Sequence, residues 1–142
     1  MQMLGDPCGE CGFELWVPIG MLNVTALGLY DDDRFPGRCL VAYTTHIEHL
    51  DELDDGQLLS FMSDVREVGR AVREVTGAPR VNDAVLGHVH PHLHAHVIPR
   101  GGSQDAKPDR APWQHPKPAG PLDPKQREEV VNDLGRSLRF RS

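Results

Sequence analysis

The sequence predicts an α+β fold, an antiparallel sheet of about five strands with one long helix and a short C-terminal helix. Three observations predict it. The elements run strand, strand, helix, strand, strand, which leaves few crossovers and favours antiparallel pairing. A capped helix with one apolar stripe lies near the middle of the chain. A run alternating histidine with smaller apolar residues follows it, with the two-residue period of an extended strand.

Taken in order, residues 1–12 are rich in Gly and Cys and read as a loop or knuckle. Asn23–Tyr30 reads as a strand, Asp31–Gly37 as a turn by composition, and Arg38–Tyr43 as the returning strand of a hairpin. Asp54 caps a helix, and Gln57 completes a capping box. Leu58, Phe61, Met62, Val65, Val68, Val72 and Val75 form its apolar stripe, and Gly77 with Pro79 ends it. Arg80–Leu86 reads as a strand broken by Gly87. The histidine strand follows. Residues 101–123 are a Pro-rich irregular segment, ordered in part around Trp113. Asp123 and Pro124 begin a short helix carrying Val130, Val131, Leu134 and Leu138 on one side.

The chain has 142 residues and a formal net charge of −6, the length of one domain spanning 1–142. The acidic balance argues against gripping nucleic acid over a broad face. No stretch is apolar for long enough to span a membrane, and a charged-then-apolar leader pattern is missing, so a cytoplasmic location is expected. Three cysteines argue against a disulfide framework. Cys39 reads as a small buried residue within a strand.

Chemistry concentrates in His88, His90, His92, His94 and His96, five of the eight histidines. On an extended strand all five imidazoles face one way, roughly 6.5–7 Å apart, able to converge on one ligand. Such a strand serves nucleophilic catalysis or a catalytic metal site. Cys8-Gly9-Glu10-Cys11 reads as a redox pair, a metal knuckle or chance; the loop context lacks the βαβ unit of a thioredoxin-like site.

His92-Leu93-His94-Ala95-His96-Val97-Ile98 resembles the motif of the histidine-triad (HIT) family. Gly87 five residues before it, Pro99-Arg100 after it, and Phe35–Val41 followed by His46 also agree with that family. The resemblance covers roughly residues 8–115 and is nearest in pattern to bacterial members of the diadenosine polyphosphate hydrolase type. It implies hydrolysis or transfer at the α-phosphate of a dinucleoside polyphosphate or nucleotide phosphoramidate. His94 would attack phosphorus and form a nucleotidyl-histidine. The carbonyl of His92 would fix the tautomer of His94, and His96 would stabilise charge at the α-phosphate. Asp31, with Asp32 as fallback, would hold the ribose hydroxyls. Asn82 and His88 would contact phosphate, and a residue capping its own turn is the other reading of Asn82.

The resemblance also implies a structural zinc held by Cys8, Cys11, His46 and His92, an AMP-containing nucleotide substrate and a homodimer; the charge balance and the lack of a long apolar stretch imply no nucleic-acid or membrane partner. His88 and His90 depart from the family pattern, and His90 reads as a surface histidine. Arg100 reads as a solvated strand-end arginine. Two other functions compatible with the sequence are a non-catalytic nucleotide-binding regulator and a metal-dependent hydrolase that uses the histidine strand as ligands.

Overall fold

Antiparallel pairing places the histidines on a sheet ordered β1-β2-β3-β5-β4. The computed structural model describes residues 4–141. Its strands are β1 (Val17–Met21), β2 (Thr25–Leu29), β3 (Cys39–Tyr43), β4 (Arg80–Ala84) and β5 (His94–Arg100). The helices are α1 (Asp55–Thr76) and α2 (Pro124–Ser137), with single 3₁₀ turns at Leu50–Glu52 and Pro112–Gln114. Among the described residues no helix is long and apolar enough to cross a membrane.

Alternation along the strands divides the core in two. Leu27 and Leu29, Cys39, Val41 and Tyr43, and Ala95 and Val97 pack against both helices through Phe61, Val65, Val68, Val72 and Leu134. Ala26, Leu40 and Ala42 face the other way, against Cys8, Phe13 and Leu15 of the N-terminal loop. Gly28 permits this closeness: a Cβ there would lie 2.9 Å from the Cβ of Leu15. His94 and His96 share this second face, opposite Ala42 and Leu40.

Local chemistry sets the helix ends as the sequence predicts. The Asp54 carboxylate accepts from Gln57 N at 2.8 Å, and Gln57 Oε1 accepts from Asp54 N at 2.9 Å. Gly77 closes α1 at φ +72°, a conformation that favours glycine. The stripe is narrower than expected. Phe61, Val65, Val68 and Val72 are buried, whereas Leu58 and Met62 are exposed. The helix instead buries Asp64. Its carboxylate accepts from Asn23 N, Asn23 Nδ2, Val24 N and Thr25 Oγ1 at 2.8–3.2 Å. One side chain therefore ties the β1–β2 turn to α1.

The histidine strand is also shorter than expected. It begins at His94, and residues 87–93 are irregular. Two features stop it. Pro91 has no N–H to donate. His92 N turns back onto His90 O at 2.8 Å. His88 and His90 are therefore exposed loop residues rather than rungs of the strand.

Arg100 is buried, contrary to the solvated reading. Its guanidinium donates to Asp105 Oδ2 at 2.8 Å, Asn82 Oδ1 at 2.6 Å and the carbonyls of Lys107 and Arg110. This cluster orders the start of the Pro-rich segment. Trp113 does not, being 68% exposed.

Candidate functional site

A cleft of about 450 Å³ opens over the second sheet face. His94 and His96 lie in its wall, Phe13, Trp16 and Tyr30 supply aromatic surface, and His88 and His90 stand in the loop above. Burial and hydrogen-bond partners together determine what each ring presents.

His94 Nδ1 lies 2.7 Å from the carbonyl oxygen of His92. A carbonyl only accepts, so Nδ1 carries the proton and Nε2 carries a lone pair. Burial holds the ring's pKa below its ordinary value, against the opposing pull of that hydrogen bond. At neutral pH the ring is therefore uncharged with a free Nε2, the form of imidazole that acts as a nucleophile. Phe13 supports it at a ring distance of 5.0 Å.

His96 is arranged in the opposite sense. Its Nδ1 lies 2.9 Å from Arg38 Nη2. Burial first, and then the Arg38 cation, push its pKa down to about 3. The rings of His94 and His96 are 5.2 Å apart. Arg38 also stacks on Tyr30 at 4.0 Å, and Tyr30 packs on Trp16 at 4.5 Å.

His92 belongs to a second cluster. Its Nε2 donates to Tyr43 O at 2.7 Å, which leaves the Nδ1 lone pair facing Cys11 Sγ at 3.5 Å. Cys8 Sγ lies 3.8 Å from His46 Nδ1. The ligand atoms of Cys8, Cys11, His46 and His92 all fall within 4.8 Å of one another. The loop closes tightly, with Gly12 N bonded to Cys8 O and Cys8 N to Phe13 O. Burial raises both thiols. At Cys8 the backbone amides and the His46 ring outweigh it, so Cys8 ends below its ordinary value and Cys11 above. Cys39 is remote from this cluster, and burial pushes its thiol up to about 12.

Asp31 and Asn82 are not brought to the cleft. Asp31 accepts from Leu122 N at 2.8 Å and Arg127 Nη1 at 3.0 Å, on the side facing α2. Strand alternation turns it away from the histidines. Asn82 is held by Arg100. Asp32, the fallback for the ribose, is fully buried and bonded to Arg34 and Arg38. His88 does line the cleft, and so does His90, whose ring is 6.4 Å from that of His94.

Sequence reasoning missed Trp16, Tyr30 and Arg38. Alternation offered a signal for two of them. Tyr30 and Arg38 have the same parity as Ala26, Leu40 and Ala42, the residues on the histidine face.

Comparison with known proteins agrees with this architecture. The HIT domain family model matches residues 24–102, so the chain belongs to the HIT domain family. Among solved structures, a histidine triad protein from Bradyrhizobium japonicum is similar at 26% identity and a TM-score of 0.77, covering 85% of this chain and 89% of that one. A hypothetical histidine triad nucleotide-binding protein from Sulfolobus tokodaii shares the fold at 21% identity and a TM-score of 0.66, with coverage of 84% and 81%. A zinc-bound histidine triad family protein from Mycobacterium smegmatis does so at 22% identity and 0.63, again with 84% and 81%. Among curated proteins none matches the sequence.

Proposed function

We propose that this chain is a nucleotide hydrolase or nucleotidyl transferase acting at the α-phosphate of a dinucleoside polyphosphate or nucleotide phosphoramidate. The observation that carries the reading is the bond from His94 Nδ1 to His92 O, which leaves Nε2 of a neutral, buried ring free at the cleft. In the first step His94 Nε2 bonds to the α-phosphorus. The P–O or P–N bond to the leaving group breaks, and that group departs with the bonding pair. In the second step water attacks the same phosphorus. The N–P bond breaks with its pair returning to Nε2, and the nucleoside monophosphate leaves. The proton lost by water passes to solvent and balances the one taken up by the leaving group, and the neutral ring returns. His96 stabilises the phosphoryl oxygens through both steps, and His88 contacts the outer phosphates. The aromatic surface of Trp16 and Tyr30 suits a nucleobase such as adenine.

The cluster of Cys8, Cys11, His46 and His92 fits a structural zinc. Tetrahedral zinc, with bonds of about 2.3 Å to sulfur and 2.0–2.1 Å to nitrogen, sets sulfur-to-nitrogen edges of about 3.6 Å. The Cys11–His92 and Cys8–His46 edges are 3.5 and 3.8 Å. The Tyr43 carbonyl orients the His92 ring as such a ligand requires. Four protein ligands close the site, so the ion would organise structure and activate no water. The use of His92 here, and the pairing of His96 with Arg38, disfavour a catalytic metal on the histidine strand. The remaining parts of the reading are one domain over 1–142, a homodimer and a cytoplasmic location.

A substrate panel tests the reading. Diadenosine tetraphosphate, an adenosine phosphoramidate and a nucleotide sugar are each incubated with the protein and with His94→Ala. AMP release from at least one substrate, abolished in His94→Ala while AMP still binds, is expected. AMP binding without turnover of any substrate refutes it in favour of a binding protein.

A further inference from the structure

The two-step reaction leaves Asp32 and Arg38 unused, and their placement is costly. Asp32 is fully buried, and the Arg38 side chain is 12% exposed with Nε buried and unpartnered. Burying charge is unfavourable unless something specific offsets it. Asp32 is braced by Arg34, whose Nε and Nη2 donate to it at 2.9 and 2.8 Å. It in turn accepts from Arg38 Nη1 at 3.0 Å. The guanidinium is stacked on Tyr30, and Nη2 is aimed at His96 Nδ1 at 2.9 Å.

A guanidinium has only donors. His96 Nδ1 must therefore accept, and the ring proton must sit on Nε2. We propose that Arg38, braced by Asp32, is a positioning residue that locks His96 in the Nε2–H tautomer, so that the cleft presents one ring lone pair, from His94, beside one ring N–H, from His96. Each ring is set by a partner of fixed polarity: a carbonyl, which only accepts, for His94, and a guanidinium, which only donates, for His96. A His96 of the other tautomer would turn a lone pair toward the phosphoryl oxygens and repel the charge that develops there. Burial and the nearby cation also disfavour protonation of the ring, so it donates as a neutral group.

The kinetic consequence rests on the nucleotidyl-transfer reading, whereas the tautomer does not. Two readouts on the full-length protein therefore separate the two. The first is the long-range ¹H–¹⁵N spectrum of ¹⁵N-histidine-labelled protein at neutral pH. In the wild type His96 should show a protonated Nε2 and an unprotonated Nδ1. In Arg38→Met the signature should become mixed or reversed, while His94 keeps its proton on Nδ1 as an internal check of the fold. Arg38→Lys keeps a donor near Nδ1 and should restore the wild-type signature; it also serves if the methionine variant does not fold.

The second readout is turnover. Arg38→Met should lower kcat about 100-fold, the order seen when one oriented donor is lost from a reacting centre, with AMP affinity changed less than about 3-fold. Arg38→Lys should recover most of the loss. A wild-type His96 protonated on Nδ1 overturns the proposal. So does Arg38→Met with an unchanged His96 signature, whether kcat stays the same or the defect falls on AMP affinity alone. A wild type that turns nothing over, yet shows the stated tautomers, refutes the hydrolase reading and leaves the Arg38 assignment standing.

Discussion

Chelation tests whether the N-terminal cluster holds the proposed zinc and how that ion would organise the site. Cys8 and Cys11 enter from one loop, His46 follows β3, and His92 precedes β5. An ion bound there joins three segments, and the unfolded chain cannot assemble the same set. Binding that favours the folded state stabilises it by RT ln(1 + [L]/Kd), about 4.1 kcal/mol when free zinc is 1,000 times Kd. Unfolding entropy of about 2.1 cal/mol/K per residue over 142 residues gives roughly 0.30 kcal/mol/K. The melting temperature should therefore drop by about 14 °C on chelation and return when zinc is restored. The assay pairs elemental analysis with thermal unfolding for wild type, Cys8→Ser and Cys39→Ser. One zinc per chain is expected in the wild type and in Cys39→Ser, and much less in Cys8→Ser. A gently purified wild type without zinc, or one whose melting ignores chelation and zinc addition, refutes the argument.

Two further outcomes follow from buried groups. His96 has a folded pKa of about 3 against about 6.5 unfolded, so the unfolded chain binds its proton first. Its contribution to stability is complete above the unfolded value and is lost as pH falls below it, toward about 3. Between about pH 7 and 5.5 the wild type should lose about 1 kcal/mol more than His96→Gln, measured by urea unfolding at each pH; equal losses contradict the burial argument. Asp64→Ala strands four donors at the β1–β2 turn and should cost about 3 kcal/mol, whereas Asp55→Ala, on the solvated first turn of α1, should cost under about 0.5 kcal/mol. Equal midpoints for the two variants would show that Asp64 is not the anchor.

Much of the fold was legible because its signals are local. The caps of α1 lie three residues apart at one end and on a single glycine at the other. Strand alternation put His94 and His96 on one face, and the triad motif named the family. The histidine strand is shorter than alternation predicts because its limit is a tight turn at His90–His92, which alternation does not encode. The buried polar anchors were hidden for a different reason. Asp64 with Asn23, and Arg38 with His96, join residues 41 and 58 positions apart. Only the assembled sheet brings these partners together. Asp31 lies away from the cleft for a simple reason: its neighbour Tyr30 has the parity of the cleft, and Asp31 does not.

The central claim is a covalent bond between His94 Nε2 and phosphorus. Rapid mixing with an adenosine phosphoramidate, acid-free denaturing quench and peptide mass spectrometry measure it directly. The account predicts an AMP adduct on the peptide containing His94, absent in His94→Ala and in the presence of excess AMP analogue that blocks the cleft. Single-turnover release of AMP with no adduct at any time point, or an adduct on His96 instead, would contradict it.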